Sequence, residues 1–222
     1  MAKRSNRMKR LKHFSLLLPI AFFAGCSNPA DKVPAAGVSS NTNAPTDAPA
    51  KASAPGGPER TYVIAPENSS IEFVGSKVTG HHNGGFKKFS GELKAANGKL
   101  ANAGNKVVIE TTSLYVDNDR LAGHLKSPDF FNAAQIPTAT FETTAITPQA
   151  TNSLVTGNLT LHGVTKQISF PATIAISDAA VELAAEFFIN RFDFDIKYPG
   201  KPDDLIRKEV VLKLKVKAAA KG

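Results

Sequence analysis

Cysteine is nearly absent from this chain: Cys26 is the only one, and tryptophan is missing altogether. A single thiol closes no intramolecular disulfide, so a domain built from this sequence must be held by its own core. No phosphate-cradling glycine loop and no nucleotide fingerprint occur. No apolar run reaches the roughly 20 residues needed to cross a bilayer as a helix. The greasy stretch from Phe14 to Gly25 falls short of that and contains Pro19. Positive charge, by contrast, is in excess, with a formal net charge of +8, and its placement decides what it means.

Lys3, Arg4, Arg7, Lys9, Arg10 and Lys12 all precede the greasy stretch. A basic start, a short apolar run and small residues before a cut site make a bacterial export signal. Removing residues 1–25 takes those six basic residues with it, so +8 falls to +2. The high pI therefore describes the signal, and no basic run with interleaved aromatics remains to follow a phosphate backbone. Nucleic acid is excluded as a partner on this reading.

The small pair Ala24-Gly25 directly before Cys26 resembles a lipobox, the signal by which bacterial lipoproteins are cut and diacylated. On that resemblance residues 1–25 are a lipoprotein signal peptide and Cys26 is the acylated first residue. The protein is then expected in the bacterial cell envelope, held to a membrane by its acyl anchor and facing the periplasm. Ser27, where aspartate would favour the inner membrane in enteric bacteria, favours the outer one. The alternative is a soluble exported protein with an incidental cysteine.

Three segments follow: 1–25 as the signal, 26–58 as acylated cysteine and tether, and 59–222 as the folded domain. Ser27 to Pro58 is dominated by Ala, Pro, Ser, Asn, Thr and Gly. Such a stretch cannot offset the entropy of ordering itself and reads as disordered. About 30 flexible residues span roughly 30 Å, enough for the domain to turn freely near a membrane.

From Thr61 onward the pattern has period two. Ser70–Phe73, Val107–Thr111, Thr138–Thr143, Ser153–Leu161, Val164–Ile176, Val181–Ile189 and Val210–Val216 all alternate. Strict alternation over so many runs predicts half-buried antiparallel strands. Asn83-Gly84-Gly85, Asn97-Gly98, Asn102 to Gly104, His162-Gly163 and Ser177-Asp178 are the predicted turns. Asp119 to Lys126 breaks the rule, with Leu121 and Leu125 four apart and Asp117 or Asn118 available as a cap, and predicts one short helix. Many strands with one helix favour a closed antiparallel barrel or a sandwich.

Gly123-His-Leu-Lys-Ser-Pro-Asp-Phe-Phe131, Ile136-Pro-Thr-Ala-Thr-Phe141 and Gly157-Asn-Leu-Thr-Leu-His-Gly-Val-Thr-Lys166 resemble the signature of the YceI-like family. Phe86-Lys-Lys-Phe-Ser-Gly91 and Ile189-Asn-Arg-Phe-Asp-Phe194 resemble it as well, and Asp195 stands where the family often has glycine. The resemblance covers nearly all of Tyr62 to Ala218. It implies an all-β, lipocalin-like, eight-stranded antiparallel barrel that binds long isoprenoid lipids, such as polyprenyl chains or quinone tails, inside the barrel.

The alternation supplies an inward set: Ile71, Phe73, Phe89, Val107, Ile109, Phe141, Val155, Leu159, Phe170, Val181, Leu183, Phe187, Ile189, Leu212 and Leu214. This set carries no charge. An eight-stranded interior is either filled by such side chains or left open for one ligand. Leu121, Leu125, Phe130 and Phe131 are candidates for a helical lid over the mouth or a plug in the barrel end.

His81, His82, His124 and His162 come from separate segments without metal-ligand spacing, so no metal centre is expected. Loop-holding hydrogen bonds are expected of His124 and His162. Arg191, Asp193 and Asp195 share a parity and read as an ion-pair row on an outer face or rim. No nucleophile accompanies them, so no catalytic residue and no enzyme is expected. The sequence thus points to an envelope lipoprotein binding an isoprenoid lipid non-covalently. Its rival is a ligand-free structural or stress-related envelope protein.

Overall fold

The computed structural model describes residues 28–39 and 58–222. The expected signal peptide, Cys26, Ser27 and the 40–57 part of the expected tether lie outside the described residues. The strands are β1 (Gly37–Ser39), β2 (Arg60–Ile64), β3 (Ser70–Lys77), β4 (Gly80–Phe86), β5 (Phe89–Ala96), β6 (Lys99–Leu100) and β7 (Lys106–Glu110). They continue as β8 (Leu114–Val116), β9 (Thr138–Pro148), β10 (Ser153–Leu161), β11 (Val164–Ile176), β12 (Ala180–Asn190), β13 (Gly200–Lys201) and β14 (Asp204–Ala220). The helix α1 spans Asp119–Lys126.

Hydrogen-bonded neighbours run β2, β5, β7, β9, β10, β11, β12, β14 and back to β2, all antiparallel. The ring is a closed eight-stranded barrel with one short helix. β3 continues the path of β2 along β14, and β4 and β8 pair in turn beside it, extending the wall beyond the ring. The segment 111–137, which carries α1, and the loop 191–206 lie at this extended end.

Local chemistry explains most junctions. Asn97-Gly98 and His162-Gly163 each place two residues at positive φ, at 52° and 70° and at 51° and 76°. That is the geometry of tight hairpin turns matched to strand twist. Asn118 Oδ1 accepts the Leu121 N–H at 2.9 Å and caps α1. At the opposite end of the barrel, buried Asn105 accepts the Lys94 N–H and donates to Ala101 O and Thr143 Oγ1, pinning its loop inward.

Two expectations are corrected. Asn83-Gly84-Gly85 is not a turn but the interior of β4. A Cβ at Gly84 would lie 2.4 Å from the Phe73 ring, and one at Gly85 2.7 Å from the Tyr115 hydroxyl. These glycines make room for neighbouring side chains. The second correction concerns the tether, which is not disordered throughout 26–58. Residues 28–39 dock on the barrel.

A 3-10 turn, Pro29–Lys32, is capped by Asn28, and β1 pairs with β11 from Gly37↔Ser169 to Ser39↔Gln167. Ala30 and Val33 cover Val74, Val211 and Phe188. The physical reason is that the apolar surface is supplied by the barrel. Three apolar residues on the outer faces of β3, β12 and β14 need a cover, and a small-residue segment provides one. Composition measures only what a segment can bury by itself.

The start of β14 is tied to the β3–β4 hairpin by Asp204. Its carboxylate accepts the Thr79 N–H at 3.1 Å and the Thr79 hydroxyl at 3.0 Å, and it pairs with the Lys77 ammonium. The hydrogen bond from Lys77 leads in holding the Asp204 carboxyl below its ordinary pKa. A depressed carboxyl stabilises the fold above its unfolded pKa and loses that contribution as pH falls through the folded value. The protection factors of the amides at residues 77–80, exchange rates corrected for the intrinsic pH dependence, should therefore fall below about pH 4. Asp204→Asn should abolish this acid dependence; a hairpin equally protected at acid and neutral pH in the parent chain would refute the assignment.

Candidate functional site

The register places the whole expected inward set on one face. Phe89 lies opposite Ile109, Val107 opposite Phe141, Phe141 opposite Leu159, and Val155 opposite Phe170. Across the closure, Phe187 and Phe73 both lie opposite Leu212, Ile71 lies opposite Leu214, and Ile189 opposite Val210. Val181 and Leu183 continue the same face of β12, opposite Ile176 and Ile174.

At its centre is an aromatic row. Phe170 stacks on Phe187 with centroids 4.2 Å apart and planes 9° from parallel, and Phe141 meets Phe170 at 5.5 Å. Gly157 makes this possible, since a Cβ there would lie 2.5 Å from the Phe141 ring.

Burial along this face is uneven. Val155, Phe170, Val181 and Phe187 are buried, and Phe187 is 1% exposed. Val107, Ile109, Phe141, Leu183, Leu212 and Leu214 are only half-buried although they face inward. The inner face is thus closely packed at the Phe170–Phe187 stack and more exposed beside it. Two surface clefts of about 360 and 300 Å³ lie around Glu59–Thr61 with Ala220–Gly222 and around Glu182–Ala184 with Lys215–Lys217, and Leu183 borders the second. Neither is lined by the aromatic row.

The lid candidates divide. Leu121 and Leu125 are half-buried, and α1 buries no residue fully. Phe131 meets Phe86 edge-on at 5.8 Å, and Phe86 lies 5.9 Å from Phe73, so this ring joins the interior. Phe130 is buried in a different group, with His124 at 5.0 Å and Tyr198 at 5.3 Å. It ties α1 to the loop before β13.

Arg191 corrects the expectation of an ion-pair row. Arg191–Phe194 is a 3-10 turn, not a strand, and the Arg191 side chain is buried. Its guanidinium donates to the carbonyls of Ile196, Tyr198, Ile206 and Arg207 at 2.6 to 3.2 Å. Burial lowers its pKa from the ordinary arginine value. Asp195 sits at φ 60°, the left-handed region where glycine is easiest, and pairs with Lys197 at 2.6 Å.

Lys166 is a residue that the uncharged inward set leaves out. The register sets it opposite Leu159, on the face of Ile168 and Phe170, half-buried. The signal is present in the sequence, since Lys166 shares their parity. It provides one cation at the edge of an otherwise apolar wall.

The histidines hold loops. His82 Nδ1 meets Asp117 Oδ1 at 2.7 Å, His124 Nε2 meets Asp129 Oδ2 at 3.1 Å, and His162 Nδ1 lies 3.3 Å from Phe194 O. Among the described residues no group of three His, Cys, Asp or Glu side chains is placed to hold a metal.

A closed eight-stranded antiparallel barrel with an apolar inner face and one short helix is a lipocalin-like fold. The chain belongs to the YceI-like domain family, whose model matches residues 62–218. Among curated relatives it is similar to a UPF0312 protein of Vibrio parahaemolyticus, 39% identical over 90 residues, covering 40% of this chain and 48% of that protein. It is also similar to a UPF0312 protein of Pseudomonas aeruginosa, 42% identical over 69 residues, covering 31% and 36%. These matches span less than half the length of the curated relatives.

Among solved structures, Burkholderia cenocepacia BcnA superposes with a TM-score of 0.64 at 26% identity, covering 70% of this chain and 99% of that one. A polyisoprenoid binding domain from Saccharophagus degradans, implicated in plant cell wall breakdown, superposes at 0.59 and 19% identity, covering 73% and 99%.

Proposed function

We propose that this protein binds a long-chain isoprenoid or related lipid, of polyprenyl or quinone type, in the barrel interior. It does so for carriage, storage or sensing, as a binder and not an enzyme. The observation that carries the reading is the row of inward apolar side chains, Val107, Ile109, Phe141, Leu212 and Leu214, that the barrel leaves half-buried. The polyisoprenoid binding domain of Saccharophagus degradans, which shares the fold, supports it.

Each buried methylene contributes about 0.8 kcal/mol, and a head-group hydrogen bond only about 1 kcal/mol. A few five-carbon units therefore outweigh any polar contact, and the tail dominates affinity. Lys166 then serves the head group, favouring an anionic or carbonyl-bearing one. The lipobox resemblance supports acylation of Cys26 and a periplasm-facing place in the envelope, on the outer membrane.

Native mass spectrometry of delipidated protein re-exposed to bacterial lipid extract tests the reading. A bound prenyl lipid is the expected result. Protein that returns without adducts would favour the second reading, a filled barrel serving as a structural or stress-related envelope protein. The tight Phe170–Phe187 stack is the observation on that side.

A further inference from the structure

We propose that the seam between β11 and β12 is a side portal for the lipid tail, and that residues 34–39 are the strand that closes it. This rests on the reading that the barrel binds such a tail. β11 and β12 pair only from Thr173↔Ala184 to Ile176↔Val181. On its other side β12 pairs with β14 along its whole length, from Ala180↔Ala219 to Asn190↔Glu209. Beyond Thr173 and Ala184 the two strands part, and the barrel wall has a gap in its ladder.

Residues 34–39 cross that gap. Pro34 O accepts the Phe188 N–H at 3.0 Å, and the Ala36 N–H donates to Phe188 O at 2.8 Å. Gly37–Ser39 then pairs with β11. What this strand covers is the interior itself, because Ala36 is buried in the same core as Val155, Phe170 and Phe187. A portal here opens directly onto the aromatic row.

The closure is light. Ala35, Gly37, Val38 and Ser39 are exposed, so Ala36 is the one side chain of the strand that must leave the core. The end of the barrel near α1 is tied more firmly, by the hydrogen bonds of Arg191 and the cluster of His124, Phe130 and Tyr198. Opening therefore falls at the seam. The seam also lies close in sequence to the expected anchor. Asn28 caps the docked 3-10 turn, and two residues span at most about 7 Å, so an acylated Cys26 would set this side of the barrel beside a bilayer.

The geometry offers a reversible lock. A Cβ at Gly37 would lie 3.8 Å from Ser169 Cβ, the spacing a disulfide requires. Gly37→Cys with Ser169→Cys, in a Cys26→Ser background so that no third thiol competes, gives one protein in an oxidised and a reduced state. The probe is radiolabelled solanesol in phosphatidylcholine vesicles, with uptake followed over time. Oxidation should slow uptake at least about tenfold, a modest rise in barrier, and reduction should restore it. Ala36→Pro, which removes the N–H bonded to Phe188 O, should speed uptake. Equal uptake rates in the oxidised and reduced states would overturn the portal and leave the binding reading standing. No uptake in either state would overturn both.

Discussion

Replacing Arg191 with methionine should lower the stability of the barrel by about 3–5 kcal/mol. The guanidinium is buried and satisfies four backbone carbonyls on both sides of the loop before β14. Hydrogen bonds from a charged donor contribute about 1.5–3 kcal/mol each, and buried acceptors left without partners cost about 1–3 kcal/mol apiece. The cost of desolvating the cation offsets part of that sum. For a domain of this size the loss corresponds to a fall in Tm of roughly 10–15 °C. Arg191→Lys should recover little, because an ammonium lacks the planar fork that reaches several carbonyls at once. Urea unfolding is the measurement: the midpoint should fall at constant slope, and a change below about 1 kcal/mol would dismiss this residue as the tie that holds the loop.

Phe170→Ala should cost a similar amount, about 3–5 kcal/mol, by leaving a cavity between Phe141 and Phe187. That ring is 3% exposed and meets both neighbours. Its loss mixes packing with any effect on a ligand, so Phe141→Leu is the paired variant. Phe141 is half-buried, and a hydrophobic replacement there should cost less than about 1.5 kcal/mol. A tail lying along the row should nevertheless lose a contact, seen as less prenyl lipid retained at a temperature where the variant is fully folded. Unchanged retention in Phe141→Leu would place the tail elsewhere. A loss below about 1 kcal/mol in Phe170→Ala would mean that the stack is not part of a continuous core.

The barrel itself was legible, and so was its inner face, because period-two alternation specifies which side of a strand is buried. Every residue of the inward set lies where that parity puts it. Lys166 is legible by the same rule, since Thr165 and Gln167 take the other face. Gly84 and Gly85 are not legible, because paired glycines signal a turn unless the ring of Phe73 and the hydroxyl of Tyr115 are known to lie against them. Arg191 is hidden for a related reason. Its partners are main-chain carbonyls, which leave no mark in the side-chain pattern. The docking of residues 28–39 depends on Val74, Phe188 and Val211, each of which reads singly as an ordinary strand residue.

That docking has a consequence for length. Because the chain is clamped to the barrel from Asn28 onward, residues 40–57 lie downstream of the clamp and cannot set the distance between residue 26 and the domain. The measuring segment is the two-residue step before Asn28. Inserting a flexible linker after Ser39 should leave the position of the barrel relative to residue 26 unchanged, whereas the same linker between Ser27 and Asn28 should release it. The short step from residue 26 to Asn28 is therefore the ruler.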